Sequence, residues 1–493
     1  MNLTDEDLAS IQEVRTLLHQ ATRAQKIFSQ FSQEKVNAIC QAMADAGVEA
    51  SERLAKMAQK ETGYGIWQDK VLKNIFGSKT VNERYRDMKT VGILSEDPEH
   101  KIIDMAVPVG VIAGLIPSTN PTSSVFYKSI ISVKSGNAIV ISPHPKAKEC
   151  TLEAIKVVSE AAYKAGAPAG LISGITIPTL AGTDELMRHD ETKLILATGG
   201  GAMVHAAYSS GTPALGVGPG NGPAYIEKSA DVAQAVKRIM DSETFDNGTI
   251  CASEQSIIVE EANKDAVRRE LENQGGYFLT SDEIGKLSKF ILRADGTMNP
   301  QIVGKSIKQL ADLADIDVPA GTRVLIARDS EENIGPDDPY SREKLTPILA
   351  YFEVDDCNAA AALTTKLLLN EGAGHTAILH SENQKLIRQY ASLVPASRVL
   401  VNTPGALGGI GATTDLNPAL TLGCGAIGGS ATSDNISPMN LMNLKRVAVG
   451  MRELKDIKAD SSVSQTHSIE SSGDLDHEQL VEELVRQVLA QIK

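Results

Sequence analysis

From residue 107 onward, short runs rich in Val and Ile alternate with longer runs of helical periodicity, and no other feature of the chain restricts its fold more. "VGVIAGLI" is followed by "AIVIS", by a helix expected over residues 151–165 and stopped at Gly166, then by "GLISGIT", a short helix and "KLILAT". Strand, helix and strand at this spacing predict parallel βαβ units, because parallel neighbours need a crossover of helix length. The expected product is an open, doubly wound sheet of the kind that binds cofactors. A second series ("SIIVEE", "RVLIARD", "TPILAYFEVD", "NAAAALTTKLLL", "HTAILHS", "NQKLIRQYASLV", "RVLVNTPG") predicts another α/β lobe of similar size. A chain of 493 residues exceeds what one core usually supports, so two lobes with a ligand cleft between them are expected. Ahead of them, Thr4 and Asp7 stand in capping-box spacing before periodicity that runs to Gly47, which predicts two helices.

A formal net charge of -14 argues against a nucleic-acid or anionic-membrane surface. The most apolar stretch, "MAVPVGVIAGLIPS", is too short and too broken by Pro and Gly to span a bilayer. Five cysteines at 40, 150, 251, 357 and 424 form no CxxC pair, and "MNLTDEDLASIQEV" has neither the basic nor the apolar part of a signal peptide. The expected compartment is the cytoplasm, with free thiols. Nine histidines show no HxxxH or HExxH spacing, so no metal is expected.

Cys251, in "FDNGTICASEQSIIV", stands close to the junction of the two series, and its residue type alone leaves three readings open: packed hydrophobe, metal ligand or nucleophile. Asn247, Gly248, Thr249, Ala252 and Ser253 around it predict an exposed turn, whose backbone N–H groups would lower the thiol pKa. None of the other cysteines has such company.

"FDNGTICAS" resembles the catalytic-cysteine signature of the aldehyde dehydrogenase superfamily, and three further stretches match it in order over roughly residues 20–450. "IPSTNP" is similar to the loop carrying the oxyanion-binding asparagine, here Asn120, with Ser118 and Thr119 beside the cofactor. "LATGGGAMV" resembles the strand, turn and helix under the cofactor pyrophosphate, which assigns Thr198, Gly199 and Gly200 to it. "EKLTPIL" is like the segment whose glutamate, here Glu343, holds the nicotinamide ribose. The implied fold is α/β and aldehyde dehydrogenase-like, with two doubly wound lobes and a small oligomerisation arm. The division implied is a cofactor lobe over 1–228 with a hairpin arm at 96–108, a catalytic lobe over 229–430, and a return strand over 431–458. Asn120 precedes Pro121 and has the alternative role of a helix cap, and Glu343 that of an ordinary surface acid.

Two departures narrow the activity. Where hydrolytic members carry a water-activating glutamate, "LGVGPGNGPAYI" has Gly216 or Val217; where they carry Lys-Pro at the adenosine ribose, "GNAIVISPHPKAK" has Ser142, Pro143 and His144. These features, with "GHTAILHS", "RVLVNTPGALGGIG" and "TLGCGAIGGSATSDNISPMNLMNLKRVA", resemble the coenzyme A-acylating enzymes, nearest to the acetaldehyde and propionaldehyde dehydrogenases of bacterial microcompartments. The resemblance implies NAD as cofactor and coenzyme A as co-substrate, with Cys251, Asn120 and His375 catalytic. His375 is read either as a satisfied core imidazole or as a cleft residue assisting thiol deprotonation. The alternatives are a hydrolytic aldehyde dehydrogenase and an inactive scaffold acting through its tail.

That tail has two parts. Residues 459–475 are polar and poor in hydrophobes, a linker by composition, and residues 476–493 carry one apolar helical face. The helix is expected to dock on its own protein, on a sister subunit or on another partner, and the resemblance adds an encapsulation peptide binding microcompartment shell proteins, with the lumen as location. Seven acids against two bases over 459–493 disfavour an anionic membrane. "HKIIDMAVPVG" and "NLMNLKRVAVG" match the family's oligomerisation strands, which implies a homodimer or homotetramer.

Overall fold

The computed structural model describes residues 5–460 together with residues 481, 482, 484–486 and 490. Two parallel sheets carry the architecture. The first holds β3 (Val111–Leu115), β4 (Ala138–Ser142), β5 (Ile172–Gly174), β6 (Thr192–Thr198) and β7 (Ala214–Val217), in the order β5-β4-β3-β6-β7. β3 and β4 are buried at every position, as continuous apolar runs covered by helices on both faces should be. The strand order turns back between β3 and β6, and open parallel sheets bind ligands beyond the carboxyl ends of their strands at such a reversal. Here the loop over 116–120 leaves β3 and Gly199–Gly200 leave β6. Lys128, buried on the helix Pro121–Lys134, ties the two strand ends: its Nζ donates to the carbonyls of Leu115 (2.6 Å) and Leu196 (2.9 Å).

The second sheet contains β8 (Gly222–Ile226), β9 (Glu254–Glu260), β10 (Gly276–Phe278), β11 (Val324–Arg328), β12 (Ile348–Val354), β13 (Gly374–His380) and β14 (Ala396–Val401), in the order β10-β11-β12-β9-β8-β13-β14. β12, β9, β8 and β13 are consecutive, so the residues entering them (Glu343, Cys251, Gly220 and His375) converge at the amino end of this sheet. β8 lies within the 1–228 span expected for the cofactor lobe, yet it belongs to the second sheet.

The amino-terminal region begins with two helices, Glu6–Phe28 and Gln33–Glu49, where two are expected. Asp5 caps the first by accepting from Leu8 N at 3.0 Å; Thr4 lies outside the described residues. The helices Ser51–Thr62 and Trp67–Ile75 follow, and the second runs into a π-turn at Phe76–Thr80. After β14 the chain returns to the first sheet: Ala406, Ile410, Leu422 and Leu441 join its core, the Tyr127 hydroxyl donates to Ile436 O (2.6 Å), and Asn137 Nδ2 donates to Leu441 O (2.7 Å).

β1 (Gly92–Asp97), β2 (Ile102–Pro108) and β15 (Met442–Ala448) form a three-stranded sheet in the order β1-β2-β15. All of β15 after Met442 is exposed. The chain divides into two compact units, residues 1–94 with 104–445 and residues 95–103 with 446–493. Both parallel sheets belong to the first. The second includes the helix Leu454–Asp460, which reaches into the start of the expected linker. Most of that linker and of the terminal helix lies outside the described residues; the six described there are helical and exposed. No helix among the described residues is long and apolar enough to cross a membrane.

Candidate active site

A short 3-10 turn, Phe245–Gly248, delivers Cys251 to the end of the second sheet. Asp246 and Asn247 hold φ of 51° and 52°, and Gly248 holds 72°, in the left-handed region that side chains avoid. Hydrogen bonds keep Asp246 there: its Oδ1 accepts from Ile66 N at 2.7 Å, and its own N–H donates to Asp69 Oδ2 at 2.8 Å. Asp246, Gly248 and Thr249 are buried, so the turn expected to be exposed is packed into the protein. Cys251 itself is half-buried.

Burial pushes the Cys251 thiol up to about 12, the Glu343 carboxyl and Cys424 push the same way, and the Arg398 guanidinium opposes them. The amide-rich turn expected to lower this pKa does not do so. Asp246 N–H donates to Asp69, Asp246 O accepts from Thr249 Oγ1, and of the turn's backbone groups the cysteine's own N–H is the one that favours the thiolate.

Asn120 occupies the N-cap position of the helix Pro121–Lys134 without capping it. Its Nδ2 donates to Thr249 O at 3.0 Å and to Thr119 Oγ1 at 3.2 Å, and its Oδ1 accepts from Lys73 Nζ at 2.6 Å. The side chain thus reaches from the carboxyl end of β3 to the backbone two residues before Cys251. A cavity of about 340 Å³ opens beside this bridge, walled by Cys251, Asn120 and Glu343 among others. Glu343 is buried, its Oε1 accepts from Gly220 N at 2.8 Å, and burial followed by the neighbouring Glu371 charge raises its pKa well above the usual carboxylate range.

The sequence model of the aldehyde dehydrogenase family matches residues 3–408. The chain belongs to the aldehyde dehydrogenase family. It is 43% identical over 446 residues to the bifunctional aldehyde-alcohol dehydrogenase of Escherichia coli (strain K12), covering 90% of this chain and 50% of that one. The chain therefore spans about half the length of that curated relative. Among solved structures, a probable aldehyde dehydrogenase from Listeria monocytogenes superposes with a TM-score of 0.91 at 60% identity, over 92% of this chain and 100% of that one. An acetylating aldehyde dehydrogenase from Geobacillus thermoglucosidasius gives 0.90 at 50% identity, over 92% and 99%.

Within this aldehyde dehydrogenase fold, Ser118, Thr119, His144, Thr198, Gly199, Gly200 and Val217 of the expected cofactor residues also line the cavity. Three others are absent from its wall. Ser142, the last residue of β4, is buried with its hydroxyl bonded to Thr183 Oγ1 at 2.9 Å, and Pro143 follows it. Gly216 faces the helix Gly201–Tyr208: a Cβ there would lie 2.9 Å from Val204 Cγ1 and 3.0 Å from Tyr208 Cε2. Val217, one step along β7, points the other way into the cavity, as strand alternation requires.

His375 is neither the satisfied core imidazole nor the cleft residue of the two sequence readings. It is fully buried and absent from the cavity wall, with Nδ1 2.9 Å from Thr376 Oγ1 and Nε2 without a hydrogen-bond partner. Its ring packs against Gly220, where a Cβ would lie 3.4 Å from Cε1. Burial, then the Arg398 charge, lowers its pKa to about 3, which leaves it neutral.

Sequence reasoning missed the apolar wall made by Met298, Val303, Leu345, Ile410, Leu420 and Leu422. Leu345, Ile410 and Leu422 stand in motifs that do not mark them as cavity residues, and Met298, Val303 and Leu420 stand in none; Ile410, Leu420 and Leu422 reach the cavity because the chain returns to the first sheet after β14. Lys70, Lys73 and Asp246, which brace Asn120 and the Cys251 turn, were missed as well.

Proposed function

We propose that the protein oxidises a short, uncharged aldehyde to its coenzyme A thioester with reduction of NAD. The observation that carries this reading is the meeting of Cys251 and Asn120 at one cavity in which Val217 stands where hydrolytic relatives would place a water-activating acid. The acetylating activity named for the Geobacillus structure supports it.

The residues at the sheet reversal fit a dinucleotide. Gly200 caps the helix Gly201–Tyr208 with no side chain bonded to the first-turn N–H groups, and a Cβ built on Gly200 meets nothing within 4 Å. Open space before a helix N-terminus with no side-chain cap suits a pyrophosphate. Glu343 would hold the nicotinamide ribose. NAD held there would supply the hydride acceptor.

The Cys251 sulfur adds to the aldehyde carbon, and its proton must leave as the C–S bond forms. The oxygen that becomes anionic accepts from Asn120 Nδ2 and the Cys251 N–H, a fixed pair of donors aimed at developing charge. The longer Thr119 contact of Nδ2 is the one the oxyanion replaces. Loss of hydride leaves a thioester on Cys251, which the coenzyme A thiol then attacks, releasing acyl-CoA and the free cysteine thiol. Ping-pong kinetics follow. His375 stays outside the proton transfers in this reading, because burial leaves it a weak base away from the cavity.

No lysine or arginine lines the cavity among the described residues, so a carboxylated or sulfonated aldehyde would enter it with an unpaired charge. Acetaldehyde and propionaldehyde are the expected substrates.

A hydrolytic reading draws on one observation: the Glu343 carboxyl lies in the same cavity and is poised well above the usual range. Product analysis separates the two. Acyl-CoA formed only with coenzyme A present, and a stalled thioester without it, is the expected result; acid formed at full rate without the thiol would overturn the proposal. The exposed β15 edge supports assembly as a homodimer or homotetramer, and the apolar face read in residues 476–493 supports recruitment to a microcompartment shell.

A further inference from the structure

We propose that Lys73 is a positioning residue for the oxyanion site, selecting which end of the Asn120 amide faces the reacting carbonyl. The two ends of an asparagine side chain are nearly the same shape, and only their partners decide which is oxygen and which is nitrogen. Burial lowers the Lys73 pKa to about 8, and below that pH its ammonium can only donate. Its Nζ spends its three hydrogens on Asn120 Oδ1 (2.6 Å), Asp246 Oδ2 (2.5 Å) and Thr249 Oγ1 (3.0 Å), and the side chain is buried. The amide oxygen is thereby held against the ammonium, and Nδ2 is turned to Thr249 O and the cavity. A cation bonded to the oxygen also polarises the amide and strengthens its N–H as a donor.

The arrangement joins three segments that meet nowhere in the sequence. Lys70, one turn earlier on the helix Trp67–Ile75, donates to Asp246 Oδ2 (2.9 Å) and to Thr119 O (3.0 Å), so one carboxylate anchors both lysines. The helix supplies the cations, the Cys251 turn supplies the anion, and the loop after β3 is fixed between them. The left-handed conformation of Asp246 is what brings its carboxylate to this point. Lys73 is absent from the cavity wall, so it reaches the oxyanion through Asn120, while its bonds to Asp246 and Thr249 reach the Cys251 turn, which the alkylation readout monitors.

The inference rests on Asn120 acting as the oxyanion donor, and the test keeps the two claims apart. The burst of NADH on mixing enzyme and NAD with acetaldehyde, without coenzyme A, reads acylation. Alkylation of Cys251 by iodoacetamide forms no oxyanion and reads the state of the thiol alone. Asn120→Ala should slow the burst by about 10²-fold, and Lys73→Met by a similar factor. The double variant should fall within about 3-fold of Asn120→Ala, because both changes remove one interaction. Alkylation in Lys73→Met should stay within about 3-fold of wild type. A wild-type burst in Lys73→Met, equal losses of burst and alkylation, or losses that multiply in the double variant would each overturn the proposal. Equal bursts in wild type and Asn120→Ala would instead refute the role of Asn120, and this inference with it. Should Lys73→Met give no soluble protein, Lys73→Gln, which presents either end of an amide to Asn120, is judged by the same readouts.

Discussion

At neutral pH the Cys251 thiol is protonated, since burial and the Glu343 carboxyl hold it at about 12. Alkylation by iodoacetamide should therefore keep rising with pH and show no plateau below about pH 10, whereas a free cysteine levels off above its pKa of about 8.5. Glu343→Gln should displace that curve to lower pH, because it removes a carboxylate that disfavours the thiolate. A pH-independent rate above pH 8 in wild type would contradict burial as the force that keeps the thiol protonated. Cys251 and Asn120, proposed as nucleophile and oxyanion donor, stood out as candidates because each sits in a run whose residue order is itself a signature, and the fold brings both to one cavity. Lys73 was not: in "WQDKVLKNI" two lysines three residues apart look like the solvated face of a helix. Only the fold shows that the face is turned inward against Asp246. The packed state of the turn around Cys251 was hidden for the same reason, since Asn, Gly and Thr read as a loop wherever it lies.

Among the elements, β3, β4, β6, β9 and β12 were readable as apolar runs, while β7 and β10, four and three residues long, have too few side chains to set a period. The turn between β6 and the next helix offers a clean test of the dinucleotide site. Gly200→Val adds a side chain into open space, so folding should be unchanged while the KM for NAD rises about tenfold or more. Steady-state kinetics beside a thermal melt measure both. A second test concerns Lys128, which joins β3 to β6 without a carboxylate partner and is lowered by burial to about 7. The unfolded chain binds this proton up to a pKa of about 10.4, so between pH 7 and 8.5 it holds more protons than the folded protein and stability rises with pH. The contribution is on the order of 1–2 kcal/mol over that interval. Urea midpoints at the two pH values should show the rise in wild type and a smaller one in Lys128→Met.

For the whole molecule, two α/β lobes and the family were legible, because the alternation of runs and four ordered motifs each span hundreds of residues. The boundary between lobes was less so. β8 follows the cofactor segments without a break in composition, and nothing in "GPAYI" tells which sheet will take it. Deleting residues 460–493 is expected to leave acyl-CoA formation unchanged and to abolish co-sedimentation with shell proteins; persistent co-sedimentation would remove the tail from that role.

The chain's late return contributes Ile410, Leu420 and Leu422 to the cavity, and Thr421 Oγ1 meets Thr198 Oγ1 at 2.9 Å beside the end of β6. Cys251 and Asn120 are thus encoded more than a hundred residues before this part of the wall they share. Changes at Ile410, Leu420 or Leu422 alter the cavity wall without touching Cys251, Asn120 or the glycines after β6. A fragment cut ahead of Ile410 would keep Cys251, Asn120 and Glu343 and lose half of the apolar wall that faces them.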